Sequence, residues 1–252
     1  MWSHGDGGGR CFAKPTHTSS SPGEKHGSNV TSTIRACDIA PSTLSHIDFT
    51  EYEQDILRYQ KQLEVKLMPH AQYMKHQREL DWTTRAMLVG WIVKVHQCFE
   101  LRPETLFLAV NYIDRFLTCR AVSRDRLQLL GAAAVIIAVK YEEGEPIPLS
   151  TIDTITFKRY GIDMIKRAER MILSSLRFEL GWPGPMAFLR RTLLKEGDDD
   201  QVGALAQYFL EVSLLDERFI SDLPSRTAAV THLLARTILA NEALFSTVEI
   251  EK

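Results

Sequence analysis

The chain has 252 residues, 44% of them hydrophobic and 25% charged, with a formal net charge of -2. That is the composition of an ordinary globular protein, long enough for one or two domains and a sizeable core. It gives no bulk electrostatic basis for binding nucleic acid or an anionic membrane.

Cys11, Cys37, Cys98 and Cys119 show neither CxxC nor framework spacing, so they read as reduced intracellular thiols. The start, MWSHGDGGGRCFAK, has no apolar core of a secretory signal. The apolar stretch Leu127–Val139 is too short to span a bilayer. Nucleus and cytoplasm are the expected compartments. His96 and Cys98 lie two apart on one helical pattern and so face different ways. No Gly-rich phosphate loop, paired-carboxylate site or metal-ligand spacing occurs. The expectation is a protein that is not an enzyme and needs neither cofactor nor metal.

Residues 1–45 are rich in Gly, Ser, Thr and Pro and lack periodic apolar residues, so they read as a disordered tail. Ser21-Pro22 within it fits proline-directed phosphorylation. Residues 46–80 form a lead-in with one amphipathic helix over 50–66, where Tyr52, Ile56, Tyr59 and Leu63 fall at helical spacing. Thr50 with Glu53 makes a capping box, and Met68-Pro69 ends the helix.

Three helical patterns follow. The first runs from about Trp82 to Phe99, with Met87, Leu88, Trp91, Ile92, Val95 and Phe99 on one broad face. Gly90 interrupts it at a cost of about 1 kcal/mol relative to Ala. The second begins at Pro103, the favoured first position, with Glu104 in its first turn. The third starts at Ser123 as N-cap and continues to about Glu142. It is apolar nearly all round and reads as the central helix. A short helix near Ser150–Phe157 and another over Ile162–Leu176 come next, the latter with Ile165, Ala168, Ile172 and Leu176 as its stripe. Gly181-Trp182-Pro183-Gly184-Pro185 reads as a hinge. Helical patterns then run from Pro185 to about Leu194, over 201–219 and over 224–241. No strand signal competes, so the fold class is all-α.

Phe107–Asp114 (FLAVNYID) and Phe209–Asp216 (FLEVSLLD) share Phe, Leu, Val and Asp in register. Ala133-Ala134-Val135 and Ala228-Ala229-Val230 match in the helix after each copy. The chain therefore reads as two stacked copies of one helical module; either the second lacks the last two helices of the first or the chain is truncated.

The stretches RAMLVGWIVKVH, LRPETLFLAVNYIDRFL and LQLLGAAAVIIAVKYEE closely resemble the cyclin box of A- and B-type cyclins. YMKHQRELDW resembles the segment leading into mitotic cyclin boxes, and LEVSLLDERF resembles their second box. The resemblance covers roughly residues 50–240. It implies tandem five-helix cyclin boxes, the first over residues 81–180 and the second, incomplete, over 181–252. It further implies a regulatory subunit that binds and activates a cyclin-dependent kinase of the mitotic type at the G2/M transition. The alternatives are a cyclin-fold protein that binds a kinase without activating it, and a transcription scaffold that binds no kinase.

By the same resemblance, Arg85 and Asp114 are the buried ion pair joining the first two helices, and Leu129 is a core anchor. Lys140, Glu169 and Glu143 are expected to grip the kinase. The family's groove for Arg-x-Leu substrates corresponds here to Thr84, Met87, Leu88, Trp91, Lys94, Arg124, Leu127 and Gln128. Leu88, Trp91 and Gln128 keep the family's residues. Thr84 replaces the usual Met, Gly90 the usual Asp, and Lys94 the Glu that pairs with the motif's arginine, so weak docking is expected. Residues 1–60 hold no Arg-x-x-Leu destruction signal, because Arg10, Arg35 and Arg58 lack Leu three residues on.

Overall fold

The computed structural model describes residues 52–148, 151, 156 and 159–250, with side chains only as far as residue 240. The tail, Thr50, Ser21-Pro22 and most of the helix expected near Ser150–Phe157 lie outside the described residues. The chain divides into Met1–Ile56 and Leu57–Lys252. In the first unit, residues 53–56 begin helix α1, Glu53–Lys66. The second unit carries everything that follows.

Local chemistry sets the helix boundaries. Asp81 caps α2, Trp82–Phe99, by accepting the Thr84 N–H at 2.7 Å. Glu100, in the left-handed region at φ 50, stops it. Pro103 opens α3, Pro103–Cys119. Ser123 makes no side-chain cap bond. A 3-10 turn, Arg124–Arg126, fills the gap, and α4 begins only at Leu127 and runs to Glu142. Helix α5 is Ile162–Ser175, and α6, Pro185–Glu196, again starts on proline. Asp199 caps α7, Asp200–Ser213, through the Val202 N–H at 2.9 Å. The long pattern expected over 201–219 breaks after Ser213, and a separate 3-10 turn over Glu217–Phe219 is capped by Asp216. Helix α8 is Pro224–Ile250. The described residues contain no strand.

Two apolar clusters form. The first joins α2, α3, α4 and α5 through residues such as Val89, Ile92, Tyr112, Ile113, Ala134 and Ile165. The second joins α6, α7 and α8 through Met186, Phe188, Leu189, Ala206, Leu210 and Ala235. Phe107, 2% exposed, projects from α3 into the second cluster, and Trp182 packs against both. Burial of a side chain of this size contributes roughly 1.5–3 kcal/mol. The hinge residues are thus an adhesive, with the Trp182 ring 3.2 Å from where a Cβ on Gly184 would stand.

Helix α4 is buried from Leu129 to Val139, as its apolar sequence predicts. Less legible was α3, which is buried on every side from Thr105 to Leu117, including Asn111, Asp114 and Arg115. Each of those polar groups has a partner, as burial demands. Asn111 Nδ2 donates to the Leu67 carbonyl at 3.1 Å, and Arg115 Nη1 to the Glu179 carbonyl at 2.8 Å. Helix α1 also differs from expectation: Tyr59, from its apolar stripe, is 60% exposed, while Glu64 is buried. Glu64 accepts the Ser225 N–H at 3.0 Å and hydroxyl at 2.9 Å, so a carboxylate docks α1 at the N-terminus of α8.

Candidate interaction site

The innermost polar element is built on Arg85 from α2 and Asp114 from α3. Arg85 Nε donates to Asp114 Oδ1 at 2.8 Å and Nη2 to Oδ2 at 2.7 Å, a bidentate fork. Both side chains are about 5% exposed or less. The hydroxyl of Tyr73 donates to Asp114 Oδ1 at 2.6 Å. Burial, then the adjacent carboxylate, push that phenol well above its ordinary range. The remaining guanidinium nitrogen, Nη1, donates to the Leu214 carbonyl at 2.8 Å. One arginine therefore ties α2 to α3 and also to the chain leaving α7. The sequence marked Arg85 and Asp114 but not Tyr73 or Leu214. The signal for Tyr73 was its place in YMKHQRELDW; a backbone carbonyl leaves none.

Gln77 secures the same lead-in. Its Nε2 donates to the Leu117 and Arg120 carbonyls at 2.7 and 2.8 Å, and its Oε1 accepts the Val122 N–H at 2.9 Å. The segment before α2 is thereby fixed to the end of α3.

At the far end of α4, Lys140 Nζ donates to Glu169 Oε1 of α5 at 2.5 Å. The lysine side chain is 49% exposed and the glutamate 13%. Glu169 orients the ammonium, a compact charge with three donors. Glu143 is turned inward instead. Its Oε1 accepts the Arg102 N–H at 2.8 Å and the Thr105 hydroxyl at 2.6 Å, capping α3, whose own N-cap residue has no side-chain bond. An acid at the end of α4 opposes that helix's dipole, but the same acid lies at the favourable N-terminus of α3. Burial, then Glu104, raise the Glu142 carboxyl above its usual range.

The expected substrate groove is partly assembled on α2 and the start of α4. Met87, counted by periodicity as core, is 48% exposed; Lys94 and Arg124 are exposed, and Trp91 and Gln128 half-buried. Leu88 and Leu127 are buried. Gly131 allows α4 to approach α2 here, since a Cβ on it would lie 2.8 Å from Leu88 Cδ1 and 3.3 Å from Trp91 Cζ3. Thr84 is buried, its hydroxyl donating to Asp81 Oδ1 at 2.5 Å, with Arg124 Nη2 donating to it at 3.3 Å. It serves the helix cap and not the groove floor. A Cβ on Gly90 would meet nothing within 4 Å.

Away from these elements, Glu196, Asp198 and His232 bring ligand-type atoms within 4.8 Å of one another. His232 Nε2 lies 2.6 Å from Asp198 Oδ2, and the Arg236 guanidinium bridges Glu196 and Asp198, so a cation already stands there. Among the described residues no helix is long and apolar enough to cross a membrane.

The structure is thus a two-part helical scaffold with a buried arginine–aspartate lock and a half-exposed lysine braced at a helix end. The family model "Cyclin, N-terminal domain" matches residues 55–181, and "Cyclin, C-terminal domain" matches residues 183–249. The chain belongs to the cyclin family. It is 45% identical over 189 residues to G2/mitotic-specific cyclin-4 of Candida albicans, covering 75% of this chain and 39% of that protein. It is 45% identical over 191 residues to G2/mitotic-specific cyclin cig1 of Schizosaccharomyces pombe, covering 76% and 46%. Cyclin-A1 of Mus musculus is 41% identical over 194 residues, covering 77% and 46%. The chain spans less than half the length of these curated relatives. Among solved structures, a viral cyclin from herpesvirus saimiri shares the fold with a TM-score of 0.66 at 21% identity, over 71% of this chain and 80% of that one.

Proposed function

We propose that this chain is the regulatory subunit of a mitotic-type cyclin-dependent kinase, binding and activating it at the G2/M transition. The observation that carries this reading is its 45% identity with G2/mitotic-specific cyclins across three-quarters of its length. The braced Lys140 supports it. An exposed ion pair adds only about 0–1 kcal/mol to folding, whereas a half-exposed lysine oriented beside a helix end suits backbone carbonyls of a partner. Glu169 orients it, and Glu143 shapes the neighbouring edge by holding α3.

In this reading the chain performs no chemistry. It favours the kinase conformation with its regulatory helix inward and activation loop ordered, by binding that conformation more tightly than the alternatives. Arg-x-Leu substrates dock weakly, because Lys94 repels the motif's arginine. The working compartments are nucleus and cytoplasm.

The test is co-purification with a mitotic cyclin-dependent kinase, followed by a phosphorylation assay. Wild type is expected to associate and activate. Lys140→Ala combined with Glu169→Ala is expected to abolish association while leaving thermal unfolding nearly unchanged. A wild-type chain that retains no such kinase sinks the proposal.

A further inference from the structure

Another face of the first cluster carries a surface that the kinase reading does not use. Between the end of α3, the turn before α4 and the outer side of α5 lies an open cleft of about 690 Å³. Phe116, Leu129 and Leu130, all buried, form its floor. Met164 and Met171 of α5, 38% and 51% exposed, form one wall. Their seven-residue separation puts both on one stripe of the helix, and their unbranched thioethers adapt to irregular apolar shapes.

Three arginines stand around the mouth: Arg120, Arg126 and Arg167. All are exposed, and among the described residues none of them forms an ion pair. Arg167 spends one donor, Nε, on the Asp163 carbonyl at 3.2 Å. The acid beside them, Asp125, is engaged locally: a hydrogen bond from the Ser123 hydroxyl holds its carboxyl below the usual range. An apolar hole ringed by three exposed guanidinium groups and one carboxylate, Asp125, which attracts Arg126, thus occurs in a chain whose net charge is -2.

Helical phase separates this cleft from the surfaces already described. In the 3-10 turn before α4, Arg124 reaches back to Thr84 on the α2 side. Arg126, Leu129 and Leu130 point to the cleft. Lys140 lies three turns further along α4, about 16 Å away.

We propose that this cleft docks a short acidic segment of a partner protein. One bulky apolar side chain of that segment sits on Phe116, Leu129 and Leu130 between the two methionines. Flanking Asp or Glu residues pair with Arg120, Arg126 and Arg167. The apolar floor alone would accept any hydrophobic residue; the arginine forks select carboxylates, which they engage bidentately.

The experiment is fluorescence anisotropy on the whole chain with two labelled hexapeptides, Glu-Asp-Phe-Leu-Asp-Glu and Lys-Lys-Phe-Leu-Lys-Lys. The acidic peptide is expected to bind saturably, more weakly as salt rises, and the basic one not to bind. Arg126→Glu with Arg167→Glu is expected to weaken the acidic peptide about tenfold or more and to admit the basic one. Both positions are exposed, so thermal unfolding of this variant should match wild type. The Lys140→Ala, Glu169→Ala chain should bind the acidic peptide as wild type does, whatever it does with a kinase. No saturable binding at millimolar peptide, equal binding of both peptides, or an unchanged affinity in the charge-reversed chain overturns the proposal. So does loss of binding in Trp91→Ala with retention in the arginine variant, which puts the peptide on the α2 face.

Discussion

Helices α4 and α8 hold matching positions in the internal repeat, yet they are solvated very differently. In α4, Ala133, Ala134 and Val135 are 0%, 0% and 3% exposed. In α8, the matching Ala228 is 2% exposed but Val230 is 60%, and Leu233 and Leu234 follow at 66% and 44%. The reason is coverage. Helix α5 lies over the outer side of α4 through Ile165 and Ile172. Among the described residues α8 packs mainly on α6 and α7, with α1 docked only at its first turn. The repeated aspartates diverge as well. Asp114 is buried in a fork with Arg85, whereas Asp216, its counterpart, caps its own 3-10 turn and pairs with Arg218 two residues on. Hydrogen bonds from the Arg218 side chain and backbone hold the Asp216 carboxyl down at about 2. Like residues in a repeat thus carry unlike burdens, set by what lies against them.

The largest test of this contrast is at the aspartates. Asp114→Ala leaves Arg85 charged and uncompensated and removes the acceptor of Tyr73, so it is expected to cost about 3–5 kcal/mol in urea unfolding followed by circular dichroism. Asp216→Ala should leave the unfolding midpoint almost unmoved. Equal losses at the two sites would break the comparison. The valines probe coverage directly. Val135→Ala should cost about 2 kcal/mol, while Val230→Ala stays within about 0.5 kcal/mol of wild type. A large loss at Val230 would mean that its face is covered in solution.

The smallest effects sharpen the same point within one helix pair. Gly90→Ala, with open space around it, should raise stability by about 0.5–1 kcal/mol. Gly131→Ala places a Cβ 2.8 Å from the buried Leu88 and should lower stability by about 1 kcal/mol or more. Differential scanning calorimetry of both variants would read opposite shifts in Tm; shifts of one sign would contradict the close approach of α2 and α4.

Several features were legible in the chain itself. Apolar periodicity with Pro103 and Pro185 sets the helices, since a proline acts within one turn of where it stands. The repeat and the resemblance rest on residue order alone. Tertiary structure decided the rest, because each such feature depends on partners distant in sequence. Packing leaves Tyr59 exposed and buries Glu64, and turns Glu143 into the cap of a helix that begins forty residues before it. It buries α3 whole, polar residues included, and sends Arg85 to a carbonyl beyond α7. A side-chain pattern reports which face is apolar; only the fold reports which faces find something to cover them, and that is decided by geometry between segments, which no local pattern encodes.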